Sequence, residues 1–313
     1  MSAVTTKSDQ YPLISVVVRV YNRTRYLPLA LKSVVNQTYP FVECIIIDDA
    51  SSQQISFKIE RIIKRFGQNN FYYYRNKTRQ GYLGSLLEGA LQAKGKYVVY
   101  LDDDDILPYD CVMTNFKELI SENPAPVIVS GKSLYINYAN SFIRHKIIPS
   151  RVVGKYNSFT FRQEFFKKSV VSGISGYCVV RQAIINSQKS NEANDKRKNI
   201  YSPDTAFTLA ADTAFILELL DKTQSYIKYH PRITNFYRMH LLSYTSYLKC
   251  YTDLYSSHKE FFKGKFTLSL WQKLYKSFRH IFRQALIVLR RGFNPIEFRY
   301  FINHTIFLIK YLF

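Results

Sequence analysis

The chain has 313 residues, 47% of them hydrophobic and 21% charged, with 44 Lys or Arg against 23 Asp or Glu and a formal net charge of +21. That length accommodates one large α/β core with additions, and the composition, 16% aromatic, excludes an intrinsically disordered chain. Cys44, Cys111, Cys178 and Cys250 lie far apart with no Cys-x-x-Cys pair, which argues against a zinc site and a disulfide framework and points to a reducing cytoplasm.

Residues Met1 to Gln10 lack the apolar stretch of a secretory signal. No segment supplies the ~17–25 mostly apolar residues of a membrane-spanning helix. Tyr300–Phe313 is too short and is interrupted by Asn303, His304 and Lys310. The expectation is a soluble or peripheral protein.

In chain order, Leu13–Val20 is a β-branched run of the kind that forms a buried parallel strand. The apolar positions Tyr26, Leu27, Leu29, Ala30, Leu31, Val34 and Val35 predict a helix, closed by Gln37-Thr38-Tyr39-Pro40. Val42–Ile47 is a second buried strand, running into Asp48-Asp49-Ala50-Ser51-Ser52. A helix over about Ile55 to Phe66, a strand over Phe71–Arg75 and a helix over Gly81–Ala93 lead to the strand Tyr97–Leu101.

Alternating strands and helices predict a doubly wound, mostly parallel sheet, in which ligands bind at the carboxyl ends of the strands. Beyond Asp105 the expected elements are a helix at Cys111–Ile120, a strand at Pro126–Ser130 and a hairpin or extended insertion at Leu134–Ile148. A polar surface loop at Ser187–Asn199, a helix at Thr205–Leu220 and a strand at Tyr226–Arg238 follow.

The strand Tyr97–Leu101 ends in four consecutive carboxylates, Asp102, Asp103, Asp104 and Asp105. Anions this close repel by roughly 1 kcal/mol or more per pair unless a cation or hydrogen-bond donors hold them. Oxygen ligands suit Mg²⁺ or Mn²⁺, commonly with phosphate oxygens completing the shell, so a metal-bound diphosphate is the candidate ligand. Asp49, at the end of the second strand, has two readings: an N-cap of the following helix, a part Ser51 or Ser52 also fits, or an acceptor for a nucleobase edge. Tyr21 would supply a stacking face for that base.

Taken together, several segments resemble the family 2 glycosyltransferases of GT-A fold, in order over about Pro12 to Pro108. They are Ile14-Ser15-Val16-Val17-Val18 with Tyr21-Asn22-Arg23, then Leu31, Ser33, Val34 and Gln37-Thr38-Tyr39-Pro40, then Ile46-Ile47-Asp48-Asp49 with Ser51, and Leu101 with its aspartates. The resemblance implies inverting sugar transfer from a nucleoside diphosphate donor. By position, Tyr21 and Asp49 would contact the base, with Asn22 and Arg23 in the same donor-binding segment. Asp102 and Asp103 would take the ribose side, and Asp104 the metal. Arg19-Val20 replaces the family's common Pro-Thr, placing an extra cation near the donor phosphates, and Ala50 replaces the usual Gly or Asn.

Inverting transfer needs a carboxylate to take the proton of the attacking hydroxyl. Asp212 stands where the family places this base, with Ala211 in the first place of the usual acidic pair and Asp204 as a second candidate. Asp212 also reads as an ordinary charge near a helix N-terminus. Tyr237-Arg238-Met239-His240 resembles the family's segment after the catalytic helix, which gives His240 a metal or diphosphate contact and Arg238 a phosphate contact. A strand-end histidine satisfied by backbone is the other reading of His240. Arg79 joins the phosphate side by weaker analogy.

From Tyr247 to Phe313 there are 12 Lys or Arg against 3 Asp or Glu. On a helical wheel Trp271, Leu274, Phe278, Ile281, Phe282, Ala285, Val288 and Leu289 share one face, with Lys273, Lys276, Arg279, Arg283, Arg290 and Arg291 opposite. That pattern suits either an interfacial helix on anionic headgroups or a helix packed on the catalytic domain. The expected division is a catalytic domain over residues 1–246 and a basic, aromatic helical extension over 247–313.

The function expected is transfer of a hexose-type sugar from a UDP-sugar to a glycan or lipid-linked hydroxyl with Mn²⁺ or Mg²⁺, in cell-surface polysaccharide synthesis at the cytoplasmic face of a membrane. A degenerate sugar-nucleotide-binding protein is one rival. A basic nucleic-acid-binding protein is another, although the chain carries no helix-turn-helix, zinc or single-strand-binding signature, so nucleic acid is not an expected partner.

Overall fold

The computed structural model describes residues 11–137, 140–147, 153–161, 173–192 and 208–238. The chain divides into two compact units, Met1–His240 and Leu241–Phe313. The expected C-terminal helical extension lies outside the described residues, as do His240 and Asp204.

Among the described residues nine strands form one sheet. They are β1 (Ile14–Val20), β2 (Val42–Asp48), β3 (Phe71–Arg75), β4 (Tyr97–Asp102), β5 (Ile128–Ile136), β6 (Phe142–Ile147), β7 (Gly154–Asn157), β8 (Cys178–Val180) and β9 (Tyr226–Arg238). The order is β3-β2-β1-β4-β8-β5-β9-β7, with β6 paired to β5. Strands β1 to β4 are mutually parallel, as the buried β-branched runs require. Beyond β4 the sheet is mixed: β8 runs antiparallel to β4 and β5, and β9 runs parallel to β5. The insertion expected at Leu134–Ile148 is an antiparallel hairpin of β5 and β6.

Among the described residues the sheet is flanked by helices α1 (Leu27–Val35), α2 (Gln53–Phe66), α3 (Gly81–Gln92), α4 (Cys111–Ile120), α5 (Arg181–Glu192) and α6 (Thr208–Thr223). Strand alternation sends Ile14, Val16, Val18 and Val20 to one face, where they bury against Leu27, Leu31 and Val34 of α1, Ile59 of α2 and Val112 and Phe116 of α4. Each such side chain contributes about 1.5–3 kcal/mol by leaving water. On the opposite face Gly89 of α3 lies so close to β1 that an added Cβ would overlap Val17.

The polar segment predicted as a loop from Ser187 is helical as far as Glu192. Helix α5 buries Ile184 and Ser187, and the Ser187 hydroxyl donates to Ile184 O at 2.7 Å. Cys44, Cys111 and Cys178 are buried, and the Cys111 thiol donates to Thr234 O at 3.2 Å.

Candidate active site

Strand register places the acids. Val20 pairs with Asp48 and Arg19 with Asp102, so the ends of β2, β1 and β4 lie side by side at one edge of the sheet. Asn22, in the left-handed region at φ 49°, joins two of these ends. Its N–H donates to Ser51 Oγ at 2.9 Å, and its side-chain oxygen accepts from Ser52 N–H at 2.9 Å.

Asp48 is structural. Its buried carboxylate accepts from Ser51 N–H at 2.9 Å, the Ser56 hydroxyl at 2.5 Å and the Tyr73 hydroxyl at 2.7 Å. Asp49 differs, and it is not the cap of α2, whose N-cap is Ser52. It is fully buried, and its Oδ1 accepts from Gln80 N–H at 2.7 Å and Asn76 Nδ2 at 3.1 Å. Its Oδ2 is buried with no hydrogen-bond partner. The loop that grips Asp49 also carries Arg79, whose guanidinium lies 4.3 Å from the centroid of the Tyr21 ring. Ala50, next to Asp49, adopts φ 58°, which explains why Gly or Asn is the usual residue there.

Arg23 holds the acidic turn. Its Nη2 donates to Asp103 Oδ1 at 2.5 Å and its Nη1 to Asp104 Oδ2 at 2.9 Å. Burial works against its charge, but Asp103 and then Asp104 hold the guanidinium well above its ordinary range. One arginine does not balance the turn. Burial first, then repulsion from Asp104, pushes Asp102 up to about 6 against the pull of Arg19 and Arg23. Asp103, driven by burial against Arg23 and aided by Asp104, is pushed up to about 7. Among the described residues no three His, Cys, Asp or Glu groups form a ready-made metal-ligand set. A turn with this excess of negative charge fits a hard divalent cation that brings phosphate oxygens as further ligands.

Asp105 points elsewhere. Its carboxylate accepts from Asn235 Nδ2 at 3.1 Å and Arg238 N–H at 2.9 Å, tying the turn to β9. Arg238 is 1% exposed, donating from Nε to Asp104 O at 2.7 Å and from Nη1 to Asn137 O at 3.0 Å, with Tyr26 against its guanidinium at 4.3 Å. It therefore clamps the backbone of the acidic turn, and its buried Nη2 has no hydrogen-bond partner.

Asp212, on α6, is 5% exposed. The phenol of Tyr82, at the start of α3, rises well above its ordinary range through burial, then through the charges of Asp102 and Asp212. Arg19 lies beneath the same ring at 5.0 Å. Tyr82 thus marks where Asp102, Asp212 and Arg19 converge. Sequence reasoning missed Tyr82, and it missed Ser175, whose Oγ accepts from Asp102 N–H at 3.0 Å. Both lie in segments without a chemical motif. Only the departure at Arg19 signalled this corner.

The glycosyl transferase family 2 model matches residues 15–187. That is more than half the chain, and the protein belongs to this family, with the fold of a GT-A-type mixed α/β sheet. Among curated relatives, it is 29% identical over 129 residues to glycosyltransferase GlyG of Streptococcus pneumoniae serotype 4, covering 41% of each chain. It is 36% identical over 97 residues to the GalNAc(5)-diNAcBac-PP-undecaprenol beta-1,3-glucosyltransferase of Campylobacter jejuni, covering 31% of each. These matches span less than half of either relative's length. Its fold is similar to that of S. aureus TarS 1-349 solved with UDP-GlcNAc, with a TM-score of 0.56 at 15% identity over 93% of this chain and 79% of that one.

Proposed function

We propose that the protein moves a sugar, with inversion, from a UDP-sugar to a hydroxyl of a glycan or lipid-linked acceptor in cell-surface polysaccharide synthesis, at the cytoplasmic face of a membrane. The observation that carries the donor reading is the fully buried Asp49 carboxylate with one unpartnered oxygen, beside a loop whose Arg79 lies on Tyr21. An unpaired buried acceptor costs about 1–3 kcal/mol, and an imide N–H of a base stacked at Tyr21 would offset it. The TarS structure contains UDP-GlcNAc, and the Campylobacter relative is named for an undecaprenol-linked glycan; both support the donor and acceptor classes.

In this reading Asp102 and Asp103 face the ribose, with Asn22 and Arg23 shaping the donor pocket. Asp212 accepts the proton of the acceptor hydroxyl as its oxygen bonds to the anomeric carbon and the bond to the diphosphate breaks. Mn²⁺ or Mg²⁺, held by Asp104 with His240, would supply positive charge for the leaving diphosphate. Arg79 and Arg238 belong to the same electropositive surround, Arg238 chiefly by fixing the Asp104 carbonyl. Residues 1–246 form the catalytic domain, and 247–313 a basic extension that meets anionic membrane.

The test is turnover of a nucleotide-sugar panel by the purified chain with Mn²⁺ or Mg²⁺. Transfer or hydrolysis of at least one donor is expected, and Asp104→Ala or Asp212→Ala should abolish it. Wild-type rates in both variants across the panel would overturn these roles.

A further inference from the structure

Helix α2 presents two unlike faces. Ser56 and Ile59 are buried, and Ile55, Ile62, Ile63 and Phe66 pack on the core, so its inward side is accounted for. Its outward side carries Phe57, Lys58, Arg61, Lys64 and Arg65, all exposed. Phe57, Arg61, Lys64 and Arg65 follow the i, i+4, i+7, i+8 spacing of a single stripe. Phe57 is 62% exposed, the second most open of the large hydrophobic side chains on the described surface.

Among the described residues none of these four cations has a salt-bridge partner. The one carboxylate on the helix is Glu60. Lys64 and Arg65 sit in the last turn, where the helix dipole favours positive charge. That argument does not reach Lys58 or Arg61, and it gives no reason to leave a phenylalanine in water among them. An aromatic ring set in unpaired cations has the composition of a surface that enters the headgroup layer of an anionic bilayer.

We propose that the outward face of α2 is a docking surface for an anionic phospholipid bilayer, with Phe57 entering the acyl boundary and Lys58, Arg61, Lys64 and Arg65 pairing with headgroup phosphates. This helix is separate in sequence from residues 247–313. It starts just after the β2 end that carries Asp48 and Asp49, so a bilayer here would lie beside the donor pocket.

The test is co-sedimentation of the full chain with phosphatidylcholine vesicles containing about 30% phosphatidylglycerol, compared with phosphatidylcholine alone. Wild type should bind the anionic vesicles only. Arg61→Glu with Lys64→Glu should weaken partitioning at least about 10-fold, and Phe57→Ser should weaken it several-fold, with thermal midpoint and donor hydrolysis unchanged. Absence of wild-type binding, or wild-type binding by the double variant, overturns the proposal. So does tight RNA binding that is lost in the double variant while vesicle binding persists, since the stripe would then be a nucleic-acid surface. None of these outcomes touches the assignment of Asp104 or Asp212, which turnover reads separately.

Discussion

Replacing Asp103 with Asn tests the electrostatic account of the acidic turn. Asp103 is 2% exposed and is pushed up to about 7 from an ordinary 3.8. Between those values the folded chain holds a proton that the unfolded chain has lost. Stability from this group is therefore complete below pH 3.8 and falls as pH rises through about 7. At about 1.4 kcal/mol per pH unit, the loss between about pH 5 and pH 8 is roughly 2–3 kcal/mol. For a domain of this size that is about 5–10 °C in thermal midpoint. Asn keeps a carbonyl oxygen for Arg23 and cannot ionise. In metal-free buffer, Asp103→Asn should unfold with a visibly flatter dependence on pH than wild type and should be the more stable protein near pH 8. Scanning fluorimetry across the pH range reads both, and a variant whose slope matches wild type refutes the reasoning.

Arg23→Gln removes the one guanidinium that bridges Asp103 and Asp104, so its thermal midpoint should drop by several degrees near pH 8 and by much less near pH 5, as the same fluorimetry would show. Ala50→Gly relieves a left-handed backbone at φ 58° and should gain about 0.5–1 kcal/mol, read from urea unfolding midpoints. Gly89→Ala drives a methyl group into Val17 and should cost about 1–3 kcal/mol in the same titration.

The parallel half of the sheet was legible because buried parallel strands need unbroken apolar runs, and Leu13–Val20, Val42–Ile47 and Tyr97–Leu101 supply them. Helix α4 and strand β9 have the bounds expected from their patterns. Strands β7 and β8 were not legible: with four and three residues, they are too short for a period to show. Helix α5 was missed because its second half is almost wholly polar and only Ile184 and Ser187 are buried in its described part.

In the site, the acids were visible as residues at strand ends, but their division of labour was not. Sequence shows four aspartates in a row. Only the fold separates Asp103 and Asp104, bound to Arg23, from Asp105, which ties the turn to β9. The resemblance gives Arg238 a phosphate contact, and in the structure its guanidinium donates to the backbone of that turn and, in the β5–β6 connection, to Asn137 O and the Asn140 side chain. Tyr82 and Ser175 matter through tertiary convergence alone, which no local spacing encodes.

The stitching of the acidic turn to β9 bears on where this polypeptide can be cut. Asp105 is bonded to Asn235 and Arg238, Arg238 to Asp104, and Ile106 bridges Phe236. The family match ends at residue 187, well short of that strand. A fragment trimmed to the matched boundaries would retain all four aspartates of the acidic turn yet lose the brace that aims them, so a piece that keeps the turn in place has to extend at least through Arg238.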